Sequence, residues 1–199
     1  MNIFETLTDK ERQQWGTRHF AKGEILFREG EVCDCLSYVE KGQVEIVSYS
    51  FEGGEVLYNR IPAGGMFGNN LLFSAEPFYR GNALAKSDCR IRCLKKAELL
   101  GLLGQNPQFL EAFLKAQAEN AKRQNIRIKL LSFPNLRERL LYNLHLHEGH
   151  LEFSSIAALA REMGVERETL SRLLGKLESE GAIARGPHAI EDRRRTAGV

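Results

Sequence analysis

The sequence predicts an α+β chain: an N-terminal antiparallel β-roll, one long helix, and a small C-terminal helical domain that ends in a β hairpin. Three observations predict it. Residues 18 to about 96 are short β-type runs separated by glycines. Glycine and proline are then missing between Pro107 and Pro134, where apolar residues recur with the period of a helix. Beyond Pro134 the helical spacing returns in shorter pieces with turn residues between them.

The bulk numbers fit this division. A chain of 199 residues makes one large or two small domains. Forty-three per cent hydrophobic and 27% charged is ordinary globular composition. No apolar run reaches the roughly 18 residues that span a bilayer, and the polar start from Met1 to Lys10 lacks a secretion leader, so no membrane contact and a cytoplasmic location are expected. The net charge is only +2, and acidic and basic side chains balance over residues 134–199. A nucleic-acid partner must therefore be argued from where the arginines sit.

Residues 4–16 read as a short helix. The strand runs include Ile25-Leu26-Phe27, Leu36-Ser37-Tyr38-Val39, Val44-Glu45-Ile46-Val47 and Glu55-Val56-Leu57-Tyr58. Glycines between them, such as Gly42 and Gly68, fit tight turns that need positive φ. On the long helix, 108–132, the stripe is Leu110, Leu114, Ala118, Ala121, Ile128 and Leu131, interrupted by Gln117, Gln124 and Asn125. A stripe this narrow suits a coiled-coil-like dimer seam; the alternative is a helix packed on its own β-roll. The expected division is a sensor domain over 1–107, a dimerisation helix over 108–133 and a DNA-binding domain over 134–199.

The most informative stretch runs from Ile156 to Gly175. A helix-turn-helix needs a small residue where its helices cross, and Ala160 supplies it. Four residues on, the turn needs positive φ, and Gly164 supplies that. Leu159, Met163, Val165, Leu170 and Leu173 fill the shared core positions. The second helix, about 166–179, buries Leu170, Leu173, Leu174 and Leu177. Its other face carries Arg167, Glu168, Ser171, Arg172 and Lys176, with Thr169 beside them. Arg can donate two hydrogen bonds to guanine O6 and N7, and Glu can accept one from cytosine N4.

These residues carry a family resemblance. Arg167-Glu168-Thr169-Leu170-Ser171-Arg172 resembles the recognition helix of the Crp–Fnr superfamily of bacterial regulators. The segment from Lys22 to Gly30, and the turns at Gly42, Pro62-Ala63-Gly64 and Phe67-Gly68, resemble that family's cyclic-nucleotide-binding-like β-roll. Arg139-Leu140 resembles the start of its winged helix. The resemblance implies a double-stranded β-helix or jelly-roll-like sensor, a homodimer, and a winged helix-turn-helix on near-palindromic double-stranded DNA. RNA polymerase would be a further partner of an activator. Where the family often has a small hydroxyl residue before the Arg-Glu pair, this chain has Glu166, which disfavours a phosphate contact there.

The resemblance also frames the effector. Members that bind cyclic AMP hold its ribose with a Glu and its phosphate with an Arg, a Ser and turn amides. The comparable stretch here runs Phe67-Gly68-Asn69-Asn70-Leu71 through Tyr79-Arg80-Gly81. Asn69 stands at the Glu position, and Arg80-Gly81 at the Arg-Ser pair, unless a shift of one puts Arg80 at the Ser place. Gln124-Asn125 replaces the Thr-Ser pair on the long helix. The expected effector is therefore a small molecule other than cyclic AMP. The less polar Phe67, Leu71, Leu72, Phe73 and Tyr79 favour an apolar ligand or none.

A haem, gas or redox sensor on the same scaffold is the alternative. No cysteine precedes Cys33, which argues against the family's N-terminal iron–sulfur cluster. Cys89 and Cys93 share a strand face but lie roughly 13 Å apart, too far to bridge, and read as small apolar fillers. His145, His147 and His150 are either a metal or haem ligand set or a solvated loop. No nucleophile–base pair or Walker-type loop marks an enzyme.

Overall fold

The computed structural model describes residues 3–196, and its glycine-punctuated runs pair as two antiparallel sheets. The strands are β1 (Gly16–Phe20), β2 (Ile25–Phe27), β3 (Cys35–Lys41), β4 (Gln43–Tyr49), β5 (Glu55–Pro62), β6 (Met66–Phe67), β7 (Asn82–Ala85) and β8 (Cys89–Lys95). One sheet has the order β1-β8-β3-β6 and the other β2-β7-β4-β5. The chain divides into two compact units, one up to residue 121 and one from residue 122 on.

In the first unit, Leu36 on β3 sits opposite Leu94 on β8, and both are fully buried. Tyr38 shares their sheet face, because side chains alternate along a strand. Phe4 stacks on that ring at 4.4 Å, and Trp15 packs between Phe4 and Phe109. The N-terminal segment thus covers one face of the sheet. Phe27 on β2 meets Tyr79 at 3.4 Å and Phe67 on β6 at 5.6 Å, which joins the two sheets from within. The β3–β4 hairpin requires its glycine. Gly42 has φ +92°, and a Cβ there would lie 2.5 Å from the Asp88 carbonyl oxygen.

Two local expectations are corrected. The single helix over 4–16 is a 3-10 turn, Ile3–Thr6, followed by α1 (Asp9–Gln13). Thr8 restarts the chain with a capping box. Its hydroxyl accepts from the Glu11 N–H, while the Glu11 carboxylate accepts from the Thr8 N–H at 2.7 Å. The second correction is a helix that the strand reading passed over, α2 (Lys96–Gln105), which buries Leu99 and Leu102.

The long helix, α3, runs from Pro107 to Ser132. Asn106 caps it by accepting from the Phe109 N–H at 2.9 Å, and Pro107 takes the first helical position, where no N–H is needed. Near its start α3 buries Phe109, Ala112 and Phe113 in the first core. Near its end it buries Leu130 in the second. The stripe Leu110, Leu114, Ala118, Ala121, Ile128 and Leu131 is exposed. The face that packs within the chain is therefore not the stripe.

The second unit contains α4 (Leu136–Leu146), α5 (Ile156–Met163) and α6 (Arg167–Ser179). A small sheet of β9 (His150–Glu152), β10 (Ile183–Arg185) and β11 (Ala189–Asp192) has the order β10-β11-β9. Leu140, Leu144, Met163, Leu170, Leu174, Ile183 and Ile190 form its dry centre. A short helix, α7 (Arg193–Thr196), follows.

Gly101 and Gly104 are exposed interior residues of α2, and a Cβ at either would meet open space. Alanine at each should stabilise the protein by roughly 0.5–1 kcal/mol, raising the melting temperature by about 1–4 °C per site. Gly42→Ala should cost about 2 kcal/mol or more through left-handed strain and the clash with Asp88. Thermal melts of the three variants check both signs.

Candidate functional site

The helix-turn-helix begins at Ser155, whose hydroxyl accepts from the Ala158 N–H at 3.1 Å to cap α5. At the other end Gly164 is left-handed, with φ +68° and ψ +39°. The Val165 N–H reaches back to the Ala160 carbonyl at 3.1 Å, and the Gly164 N–H to that of Arg161. This closes a Schellman-type stop, which only a residue without a Cβ enters cheaply. Ala160 is 2% exposed at the crossing of the two helices. Arg139 secures the turn from α4, donating to the Met163 carbonyl at 3.1 Å and to the Phe133 carbonyl at 3.2 Å. Sequence reasoning noted Arg139 only as part of a resemblance. Its role as a brace for the last turn of α5 needed the fold.

With the turn fixed, α6 starts at Arg167. Leu170, Leu174 and Leu177 anchor one side of it, with Leu173 partly buried. Arg167, Glu168, Thr169, Arg172 and Lys176 are exposed, and Ser171 is half-buried. These are the residues assigned to base reading, and they share one helix with its N-terminus free of the core. Glu166 takes the N-cap position but makes no side-chain cap bond. Below α6, β10 and β11 form the hairpin of a wing. Arg194 is held by Asp192 through two bonds, at 2.9 and 2.8 Å. The side chain of Arg195 lies outside the described part.

The three histidines before this motif do not converge. His145 lies on α4, His147 ends that helix with Nδ1 at 2.8 Å from the Asn143 carbonyl, and His150 faces Glu152 and Glu191 from β9. Among the described residues no three His, Cys, Asp or Glu side chains are grouped to hold a metal ion.

The residues assigned to an effector pocket are divided by the fold. Phe67 and Tyr79 meet through Phe27 and are buried, and burial pushes the Tyr79 phenol well above its ordinary range. Gly68, φ +81°, fits closely against the Cys35 carbonyl. Asn69 is 5% exposed and is bonded to Gln117 of α3. Its amide donates to the Gln117 side-chain oxygen, and the Gln117 amide donates to the Asn69 carbonyl at 3.1 Å. Leu71 is half-buried, while Asn70 is exposed. Arg80 also faces outward and pairs with Glu76 at 3.1 Å. Gly81 has no room for a larger residue, since a Cβ would lie 2.8 Å from the Val47 carbonyl oxygen. Gln124 and Asn125 are exposed on α3, in the second unit. The α3 residue that reaches the Asn69 turn is Gln117, which the sequence marked only as a break in the apolar stripe.

Two family models match the chain. One, for a cyclic nucleotide-binding domain, matches residues 17–106, and the other, for a Crp-like helix-turn-helix domain, matches residues 136–195. The cyclic AMP receptor protein of Thermus thermophilus is 28% identical over 183 residues, covering 88% of this chain and 83% of that protein. The fumarate and nitrate reduction regulatory protein of Salmonella typhi is 26% identical over 175 residues, covering 82% and 69%. A CooA mutant from Carboxydothermus hydrogenoformans has the same fold, with a TM-score of 0.77 at 19% identity, covering 96% of this chain and 91% of that one. With both domain types present in this order, the chain belongs to the Crp–Fnr superfamily, as a DNA-binding transcription regulator with an effector-type β-roll domain and a Crp-like helix-turn-helix.

Proposed function

We propose that this regulator binds a near-palindromic DNA site as a homodimer, reads bases with Arg167, Glu168 and Arg172, and responds to an effector other than cyclic AMP. The observation that carries the reading is the exposed polar face at the start of α6, set on a helix whose opposite face is fully packed. Steps of about 100° per residue put Arg172 some 140° from Arg167, with Glu168 and Ser171 inside that arc. Long arginines converge across such an arc on a major groove about 12 Å wide. The family resemblance supports a half-site with a core like TGA, repeated as an inverted pair about one helical turn away.

Arg172→Ala should cost about 1–3 kcal/mol and relax preference at a guanine, while Glu168→Ala should chiefly relax preference at a cytosine. The measurement is a competition assay over single-base variants of a selected site. Unchanged preference in both variants would mean that α6 is not the reader.

The exposed stripe on α3 supports 108–133 as the dimerisation helix that joins a sensor domain to a DNA-binding domain. Ile128 is 66% exposed and Leu114 57%. Light scattering at micromolar concentration should give about twice the chain mass of 22.5 kDa. Ile128→Asp and Leu131→Asp should weaken both dimerisation and DNA binding; a native chain that stays monomeric at every concentration sinks the seam.

Against cyclic AMP stand the neutral Asn69, already paired with Gln117, the outward-facing Arg80 and the crowded Gly81. A buried phosphate or ribose hydroxyl left without its partner costs about 1–3 kcal/mol or more, which removes orders of magnitude of affinity. Calorimetry should detect no micromolar binding of cyclic AMP, and a micromolar isotherm would refute this assignment.

A further inference from the structure

The register of β3 and β8 brings together two cysteines that are 58 positions apart. Ser37 lies directly opposite Cys93, and Cys35 opposite Lys95. Opposed residues and those two steps along share a face of the sheet, so Cys35, Ser37 and Cys93 point the same way. The Ser37 hydroxyl is 3.9 Å from each sulfur and so stands between the two thiols. Both cysteines are only half-buried. On the far side of β8, the residue opposite Cys93 is Gly16, which has no side chain to cover the sulfur.

The charges around the pair are unequal. The adjacent Cys35 thiol brings the Cys93 thiol down to about 7, helped by Ser37 and by the positive charge of Arg18 on β1. Asp34 opposes this, and is itself bound by Lys95. The neighbouring Cys93, with burial, pushes the Cys35 thiol far up. Of the two, Cys93 is the one whose surroundings favour the thiolate. Cys33 differs, since it is buried and its thiol is pushed up by desolvation.

We propose that Cys93 and Cys35 form a two-electron oxidation site for hydroperoxides, with Cys93 as the attacking thiolate and Cys35 as the resolving thiol. The Cys93 sulfur attacks the terminal oxygen of the hydroperoxide. The O–O bond breaks, the alkoxide or hydroxide leaves, and Cys93 becomes a sulfenic acid. The Cys35 sulfur then attacks the Cys93 sulfur, the S–O bond breaks, and the oxygen departs as water with the Cys35 proton. The thiol pair loses two electrons and the peroxide gains them. Diagonal neighbours in an antiparallel pair have Cα atoms about 7–8 Å apart, slightly beyond the usual reach of a disulfide. Closing the bond must draw β3 and β8 together, which makes it strained and easily reduced, and so reversible.

The test uses the full chain and hydrogen peroxide. Peptide mapping should find a Cys35–Cys93 cross-link, lighter by two hydrogens and reversed by dithiothreitol. Cys35→Ser should instead accumulate a sulfenic acid at Cys93 that dimedone traps, and Cys93→Ser should react no faster than a buried thiol. On the untreated native chain, iodoacetamide should label Cys93 with a midpoint near pH 7, at least about tenfold faster at that pH than Cys89. That measurement stands even if a variant fails to fold. A cross-link through Cys33 or Cys89, dimedone capture at Cys35, or equal labelling of all four cysteines would overturn the proposal.

Discussion

The long helix imposes the constraint on which the rest depends. Twenty-six residues without an interior glycine or proline form one continuous helix. Its buried residues are claimed separately at its two ends: Phe109, Ala112 and Phe113 belong to one core, Leu130 to another. Those anchors fix the rotation of the helix about its axis. Once it is fixed, Leu114, Ile128 and Leu131 have to face away from both cores. Apolar surface removed from water is worth about 25 cal/mol per Å², and this chain leaves that gain untaken along the stripe. On the proposed seam, a second copy of the same helix offers a surface of matching period, and the anchors that build the monomer also present that surface.

The reading head is governed by a much smaller constraint. Gly164 sets the point at which α5 must stop, and the chain enters α6 three residues later, at Arg167. Arg139 ties down the Met163 carbonyl at this junction, so the approach to α6 is held by a hydrogen bond as well as by packing. Arg167 and Glu168 are the first two residues of that helix. Any slack in the turn would pass directly to them, whereas residues further along are held by Leu170 and Leu174. Base discrimination of a few kcal/mol depends on bidentate geometry, which tolerates little slack.

What could be read from the sequence divides along the same line between local and distant constraints. Gly164 and Ala160 were legible because each position has a stereochemical demand that one residue type meets, and the demands fall at fixed spacing within one motif. The strands were legible from their turn glycines. The break at Thr8 and the helix α2 were not. A five-residue helix has almost no periodicity, and the Leu-Leu-Gly-Leu-Leu-Gly stretch of α2 repeats every three residues, between the strand and helix periods, with two glycines that weaken a helical reading. The bond between Asn69 and Gln117 spans 48 residues and depends on how α3 meets the turn after β6. The meeting of Cys35 and Cys93 depends on strand register, so sequence spacing could only compare Cys89 with Cys93, the wrong partners. Arg80 was judged by its neighbours in sequence, while its partner is Glu76, four residues back in the same loop.

The amide pair explains why the β-roll is more than a weakened copy of a nucleotide site. A carboxylate at position 69 would need a donor, and a bound ribose could supply one. The Asn69 side-chain amide donates to Gln117, and the Gln117 amide donates back to the Asn69 backbone carbonyl, so the two residues are joined with no ligand present. On the proposal that cyclic AMP is not the effector, a charged ligand at this turn would have to break the bonds between Asn69 and Gln117, and Arg80, paired with Glu76 on the surface, would not face it. Each of these costs is modest alone, at about 1–3 kcal/mol for an orphaned buried polar group. They fall together on one event, and the same amide pair ties α3 to the roll. A signal that loosened the pair would therefore act directly on the helix that carries the exposed stripe.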